Sequence, residues 1–168
     1  VSRTFGTWAA GRAWTGLDGK KVKYGMLFRG SAMDDGTFRD LLLTGNGRRE
    51  LVSNLGIRAE LDLRWNYTES SISPDTDYLC ISVSQYAEAI TDAERRGQFK
   101  TCFEWIMGRL TESPAKPVYF HCQGGCDRTG TMAFLLLGLL GVSESDLARD
   151  YELSSFSPIG MYDRTRNS

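Results

Sequence analysis

The chain has 168 residues, 41% of them hydrophobic and 24% charged, which is enough for one domain with a buried core and too short for two of ordinary size. Its formal net charge of −1 supplies no overall field to draw nucleic acid or an acidic membrane, so any attraction for an anion has to be local. Cys80, Cys102, Cys122 and Cys126 do not form the pattern of a disulfide framework, and with a single histidine they complete no metal-ligand set.

Along the chain, Lys20 to Lys23 reads as a solvated turn before a strand at Met26 to Arg29. Further strands are predicted at Ile57 to Leu63, Tyr78 to Val83 and Val118 to His121, where β-branched and aromatic residues cluster between turn signals. Phe99, Cys102, Phe103, Ile106, Met107 and Leu110 recur at helical spacing, with Pro114 and Pro117 beyond the end. Thr129 to Leu140 is apolar nearly all round, which predicts a helix enclosed by a sheet and its neighbours. Ser143 and Asp146 have the spacing of a capping box ahead of a helix carrying Leu147 and Tyr151.

Strands alternating with helices imply an α/β fold with a mainly parallel central sheet flanked by helices. No repeat or linker divides the chain, so residues 1–168 are expected to form a single domain. The longest apolar run, Met132 to Val142, is too short to span a bilayer, so no integral membrane segment is expected. No signal peptide is visible from Val1, which leaves cytoplasm and secretion both open. The chain closes in a polar stretch, Tyr162 to Ser168, from which we expect some C-terminal helices to be missing.

The strongest local signal lies between the last strand and the apolar helix, at Cys122-Gln123-Gly124-Gly125-Cys126-Asp127-Arg128-Thr129-Gly130. A strand, a glycine loop and a helix start in that order bring backbone N–H groups and a positive dipole end together, which forms an anion site. Cys122 would stand where those donors converge, and the same field with a nearby arginine would hold it as a thiolate. Gly124 and Gly125 are expected to take positive φ or to let the backbone approach closely. Arg128 offers a planar fork matching two phosphate oxygens. Thr129 is expected to donate its hydroxyl to the Cys122 sulfur, and Gly130 to bring the helix close to the sheet. His121 precedes the nucleophile on a strand, so its side chain should point to the opposite face and hold the loop by hydrogen bonds, not serve in a triad.

The loop HCQGGCDRTG resembles the cysteine phosphatase signature, in particular the bacterial tyrosine-phosphatase family whose loop reads HCxxGxDRTG. Gly19 to Gly30, with its Phe28-Arg29 pair, resembles that family's early strand, and Leu55 to Arg64 resembles its Asp-Leu-Arg strand. The resemblance implies a cysteine-phosphatase-like fold without a cofactor. It also implies hydrolysis of phosphate monoesters through a cysteinyl-phosphate, with a phosphorylated protein or a phosphorylated small molecule as substrate. Gln123, Gly124, Gly125, Cys126, Asp127 and Arg128 would bind the phosphate; Cys122, Asp127, Arg128, Thr129 and Asp62 would be catalytic.

No Asp stands at the start of the stretch after Val83, where many tyrosine phosphatases carry their acid on a mobile loop. Asp127 is therefore the first candidate for proton donor, with Asp62 second and Asp92 third. Cys126 stands where family members acting on phosphoinositides tend to carry Lys, which shifts the expected substrate toward phosphotyrosine and leaves inositol phosphates and phosphoinositides as the alternative. Arg29, Arg64 and the Lys20 to Lys23 turn could supply charge from outside the loop. Tyr67, Gln85, Tyr86 and Phe156 are candidates for the rim that sets pocket depth. Cys126 could also form a redox disulfide with Cys122. Two rival readings are a rhodanese-like sulfurtransferase and a phospho-binding pseudophosphatase.

Overall fold

A computed structural model describes residues 3–4, 15–34, 42–85 and 87–152. The expectations on Tyr86, Phe156 and the C-terminal stretch lie outside these residues. Five strands form one sheet: β1 (Arg3–Thr4), β2 (Leu27–Ser31), β3 (Ala59–Asp62), β4 (Asp77–Cys80) and β5 (Val118–Cys122), in the order β1-β2-β5-β3-β4. The four longer strands run parallel and only the short β1 pairs antiparallel, so the mainly parallel sheet expected from the alternation is present. The helical segments are α1 (Gly45–Arg49), which continues as a π-helical turn over Glu50–Asn54, α2 (Glu88–Thr91), α3 (Ala93–Thr111), α4 (Asp127–Leu139) and α5 (Glu144–Glu152).

The strand β5 lies in the middle of the sheet and all five of its residues are buried. Its alternation divides the interior. Val118, Phe120 and Cys122 join Ala59, Leu61, Phe99, Ile106, Met132 and Leu137 in the larger core, whereas Tyr119 packs with Phe28, Leu51, Ile57 and Ile72 in the smaller one. A continuous apolar run such as Val118 to Phe120 suits a parallel strand covered on both faces. The helix α3 packs on β3 and β5, α4 on β5 and β2, and α5 on α4.

Several elements differ from the sequence expectation. The strands β3 and β4 are shorter than predicted; after Cys80 one more bond, from the Ile81 N–H to the Asp62 carbonyl at 2.9 Å, follows the ladder before the chain turns away. The helix α3 starts at Ala93, six residues before Phe99, because the Asp92 side chain accepts from the Arg95 N–H at 2.9 Å and caps it. Met107 is not on its buried stripe and is exposed. Phe134, Leu139 and Leu140 are exposed as well, so α4 is covered on one side and at its start, not all round. Ser143 caps α5 as expected: its Oγ accepts from the Asp146 N–H and donates to the Asp146 carboxylate. Among the described residues no helix is long and apolar enough to cross a membrane.

Candidate active site

The Cys122 loop leaves the carboxyl end of β5, the end at which open parallel sheets place ligands. Cys122 is the last residue of the strand and is almost fully buried. The Ala32 N–H, just beyond β2, donates to the carbonyls of both Cys122 (2.8 Å) and Gln123 (3.1 Å), so the loop's first residues are tied to the neighbouring strand. The positive φ of the loop falls on Gly125, at +71°. A Cβ there would stand 2.6 Å from the Gly30 carbonyl oxygen, so only glycine fits. Gly30 is constrained in turn by the Tyr119 hydroxyl packed against it, which donates to the Ser31 carbonyl at 2.7 Å.

Asp127, Arg128 and Thr129 are the first three residues of α4, where helix geometry leaves N–H groups without helical partners. Arg128 donates from Nη1 to the Leu63 carbonyl at 3.1 Å, and its guanidinium carbon lies 5.4 Å from the centre of the Trp65 ring. Thr129 is fully buried, but its hydroxyl has no hydrogen-bond partner; the expected bond to the Cys122 sulfur is not formed. The Cys126 thiol donates to the Gly124 carbonyl at 3.4 Å, and all four cysteines are free thiols.

Two grooves open beside the loop and share Trp65 and Arg128. The larger, about 540 Å³, runs past Ser82, Ser84, Gln85 and Glu88. The smaller, about 470 Å³, is lined by Arg64, Asn66, Tyr67 and Gln123. Neither Cys122 nor Asp127 lines them. Tyr67 lines the smaller groove and Gln85 the larger, whereas Trp65, with 59% of its surface exposed, lines both and was not singled out in the sequence. Its position directly after Asp-Leu-Arg, beyond a strand pointing at the loop, is the signal that could have identified it.

A second layer beneath the loop is fully buried. His121 sends Nε2 to the Glu60 carboxylate at 2.8 Å and Nδ1 to the Cys122 carbonyl at 3.2 Å. A carbonyl and a carboxylate both accept, so this pair of contacts suits a doubly protonated ring. Burial alone would lower the His121 pKa, but the Glu60 hydrogen bond and the carboxylates of Asp62 and Glu60 outweigh it and raise the value. Glu60 is displaced the other way: burial favours its neutral form, and His121 with the hydroxyls of Ser70 and Ser71 overcomes that and lowers its pKa. His121 thus holds the loop through its bond to the Cys122 carbonyl, with its ring fully enclosed by protein. Glu60, Ser70 and Ser71 were missed. An acidic residue inside a strand predicted to be covered on both faces was itself a signal, since a buried charge requires a partner and the chain has one histidine.

Asp62 is also fully buried, and it accepts from the backbone N–H, Nε and Nη2 of Arg64 and from the Tyr78 hydroxyl. Burial raises its pKa, yet the Arg64 hydrogen bonds and the His121 charge more than compensate and lower it. Asp62, the second candidate for proton donor, is thus engaged by Arg64 and Tyr78. Arg64 also pairs with Asp34 at 2.9 Å and stacks on Tyr67 at 3.5 Å. Asp92 is spent as the cap of α3. Arg29 is likewise consumed, in a buried ion pair with Asp150 at 2.9 Å that ties β2 to α5. Arg29 is thus held within the fold, Arg64 is ion-paired while also lining the smaller groove, and Lys20, paired with Asp18, belongs to an exposed turn.

A parallel sheet whose central strand ends in a cysteine, followed by a glycine loop and an arginine in the first turn of the next helix, defines the cysteine-phosphatase fold. The fold is shared with the core catalytic domain of the PP-IP phosphatase SIW14 from S. cerevisiae (TM-score 0.57, 15% identity, 84% of this chain and 83% of that one). It is shared as well with TpbA of P. aeruginosa (TM-score 0.52, 17% identity, 91% and 84%). A profile of the tyrosine phosphatase family matches residues 11–161, and the chain belongs to that family. A tyrosine-protein phosphatase of Nostoc commune is 28% identical over 64% of this chain; the chain spans 43% of that relative's length.

Proposed function

We propose that the chain is a phosphatase that hydrolyses phosphate monoesters, with phosphotyrosine in proteins as its preferred substrate, and that residues 1–168 act as one catalytic domain. The observation that carries the reading is the pairing of Cys122, at the base of a loop pinned by Ala32 and Gly125, with Arg128, whose fork is braced on the Leu63 carbonyl at the loop mouth. In the first step the Cys122 sulfur forms a bond to phosphorus as the ester P–O bond breaks, and Asp127 gives a proton to the leaving oxygen. In the second step water attacks phosphorus, its proton passes to Asp127, and the thiolate leaves. Arg128 and the N–H groups of Gln123, Gly124, Gly125, Cys126 and Asp127 hold the equatorial oxygens throughout.

Preference for a singly phosphorylated substrate is supported by the buried Arg29–Asp150 ion pair, which keeps that cation inside the fold, and by a thiol at position 126. Hydrolysis of an aryl phosphate, abolished by vanadate and by Cys122→Ser with phosphate binding retained, is the expected result. Turnover surviving in Cys122→Ser would refute covalent catalysis by this residue. Asp127→Asn is expected to slow a phosphate ester with a poor leaving group far more than an activated aryl phosphate; equal losses would remove Asp127 as the acid.

A further inference from the structure

The larger groove carries more information than the loop about what surrounds the phosphate. Its described lining comprises Trp65, Ser82, Val83, Ser84, Gln85, Ala87, Glu88 and Arg128. Arg128 is its cation and Glu88 its anion; every other described lining side chain is neutral. Trp65 is exposed and lies within 5.4 Å of the Arg128 guanidinium. An aryl phosphate anchored at Arg128 would have its ring in the groove that the indole lines, where an aromatic pair can form. The same groove is also lined by Glu88, an exposed residue at the start of α2. A second phosphate placed there would meet a negative charge, and a cationic side chain would meet a partner.

We infer that this groove reads a phosphotyrosine flanked by a lysine or arginine, with Trp65 against the phenyl ring and Glu88 against the neighbouring cation. The inference rests on the phosphatase reading above and adds the sequence context of the substrate. Trp65 and Glu88 are specificity residues in this scheme; neither takes part in bond making.

The test compares kcat/KM for two phosphotyrosine peptides that differ only in carrying Lys or Glu on both sides of the phosphotyrosine, with p-nitrophenyl phosphate measured alongside. At low salt the Lys peptide is expected to be favoured about threefold, the size of a partly exposed charge pair, and 0.5 M salt should erase the difference. Glu88→Gln should bring the ratio close to one and Glu88→Lys should invert it. Trp65→Ala should raise KM for a phosphotyrosine peptide more than for the matching phosphoserine peptide. A wild-type ratio of one, or a ratio unchanged in Glu88→Gln, overturns the inference while p-nitrophenyl phosphate turnover leaves the phosphatase reading standing. Absence of turnover on all three substrates overturns both.

Discussion

Beneath the Cys122 loop, His121 is matched by Glu60 and the Cys122 carbonyl, Glu60 by two serines, and Asp62 by Arg64 and Tyr78. In the loop and the helix start that follows it, the Gln123 amide nitrogen and the Thr129 hydroxyl are buried without a hydrogen-bond partner. The same loop thus has a saturated floor and an unsaturated lining. Buried polar groups without partners cost stability, which makes the Gln123 amide and the Thr129 hydroxyl candidates for donors that a ligand would satisfy. The saturated floor does the opposite work: it fixes the backbone and the charges so that nothing has to reorganise when an anion arrives.

That contrast can be broken most severely at Arg128. Lysine keeps the charge but loses the fork, so it cannot hold the Leu63 carbonyl and two phosphate oxygens together. Arg128→Lys is expected to lower kcat/KM on an aryl phosphate by about 100-fold or more, with little change in melting temperature. A loss of less than tenfold would show that point charge alone suffices. Gly125→Ala attacks the seam between floor and lining. Its Cβ would collide with the Gly30 backbone and hold alanine at a positive φ, so a stability loss of roughly 3 kcal/mol is expected in urea unfolding. Stability within 0.5 kcal/mol of the wild type, on the order of an ordinary surface change, would mean that the loop has a second conformation available.

The loop was legible because its chemistry and its backbone requirements are both local: nucleophile, glycine and arginine lie within seven residues, and the helix that follows is marked by a long apolar run. The floor was not, because its partners are brought together by sheet order. Glu60 meets His121 only because β3 lies beside β5, and Arg29 meets Asp150 only because α5 folds back over α4. Arg64 reads as an available cation until its pairing with both Asp62 and Asp34 is seen. The helix α1 was missed for a different reason: Gly45 and Gly47 are poor helix formers, and the turn is held by the Thr44 cap and by burial of Leu51 in the segment that follows.

Glu60 tests the floor through pH. The raised pKa of His121 contributes stability that is fully present below its ordinary value of 6.5 and is lost as pH rises through the higher folded-state value. Wild-type stability should therefore decline from about neutral pH upward. In Glu60→Gln the imidazolium loses its countercharge, so stability at pH 6 is expected to fall by about 2 kcal/mol, and the decline on the alkaline side should flatten. Urea unfolding at pH 6 and pH 9 gives both quantities. Parallel pH dependence in the two proteins would mean that His121 is not held as an imidazolium by Glu60.

Thr129 gives the smallest and most discriminating effect, because here stability and activity are expected to separate. Valine keeps the shape of the side chain and removes a hydroxyl that is buried without a partner, so Thr129→Val should leave stability unchanged or raise it by about 0.5–1 kcal/mol. If the hydroxyl is kept for the departing Cys122 thiolate, the same change should slow breakdown of the cysteinyl-phosphate about tenfold, the worth of a hydrogen bond to a charged group, and produce a burst in rapid-mixing traces. Loss of stability without a burst would show that the hydroxyl serves the fold. A stable protein with slowed breakdown would place it with the ligand-facing donors, on the unsaturated side of the loop.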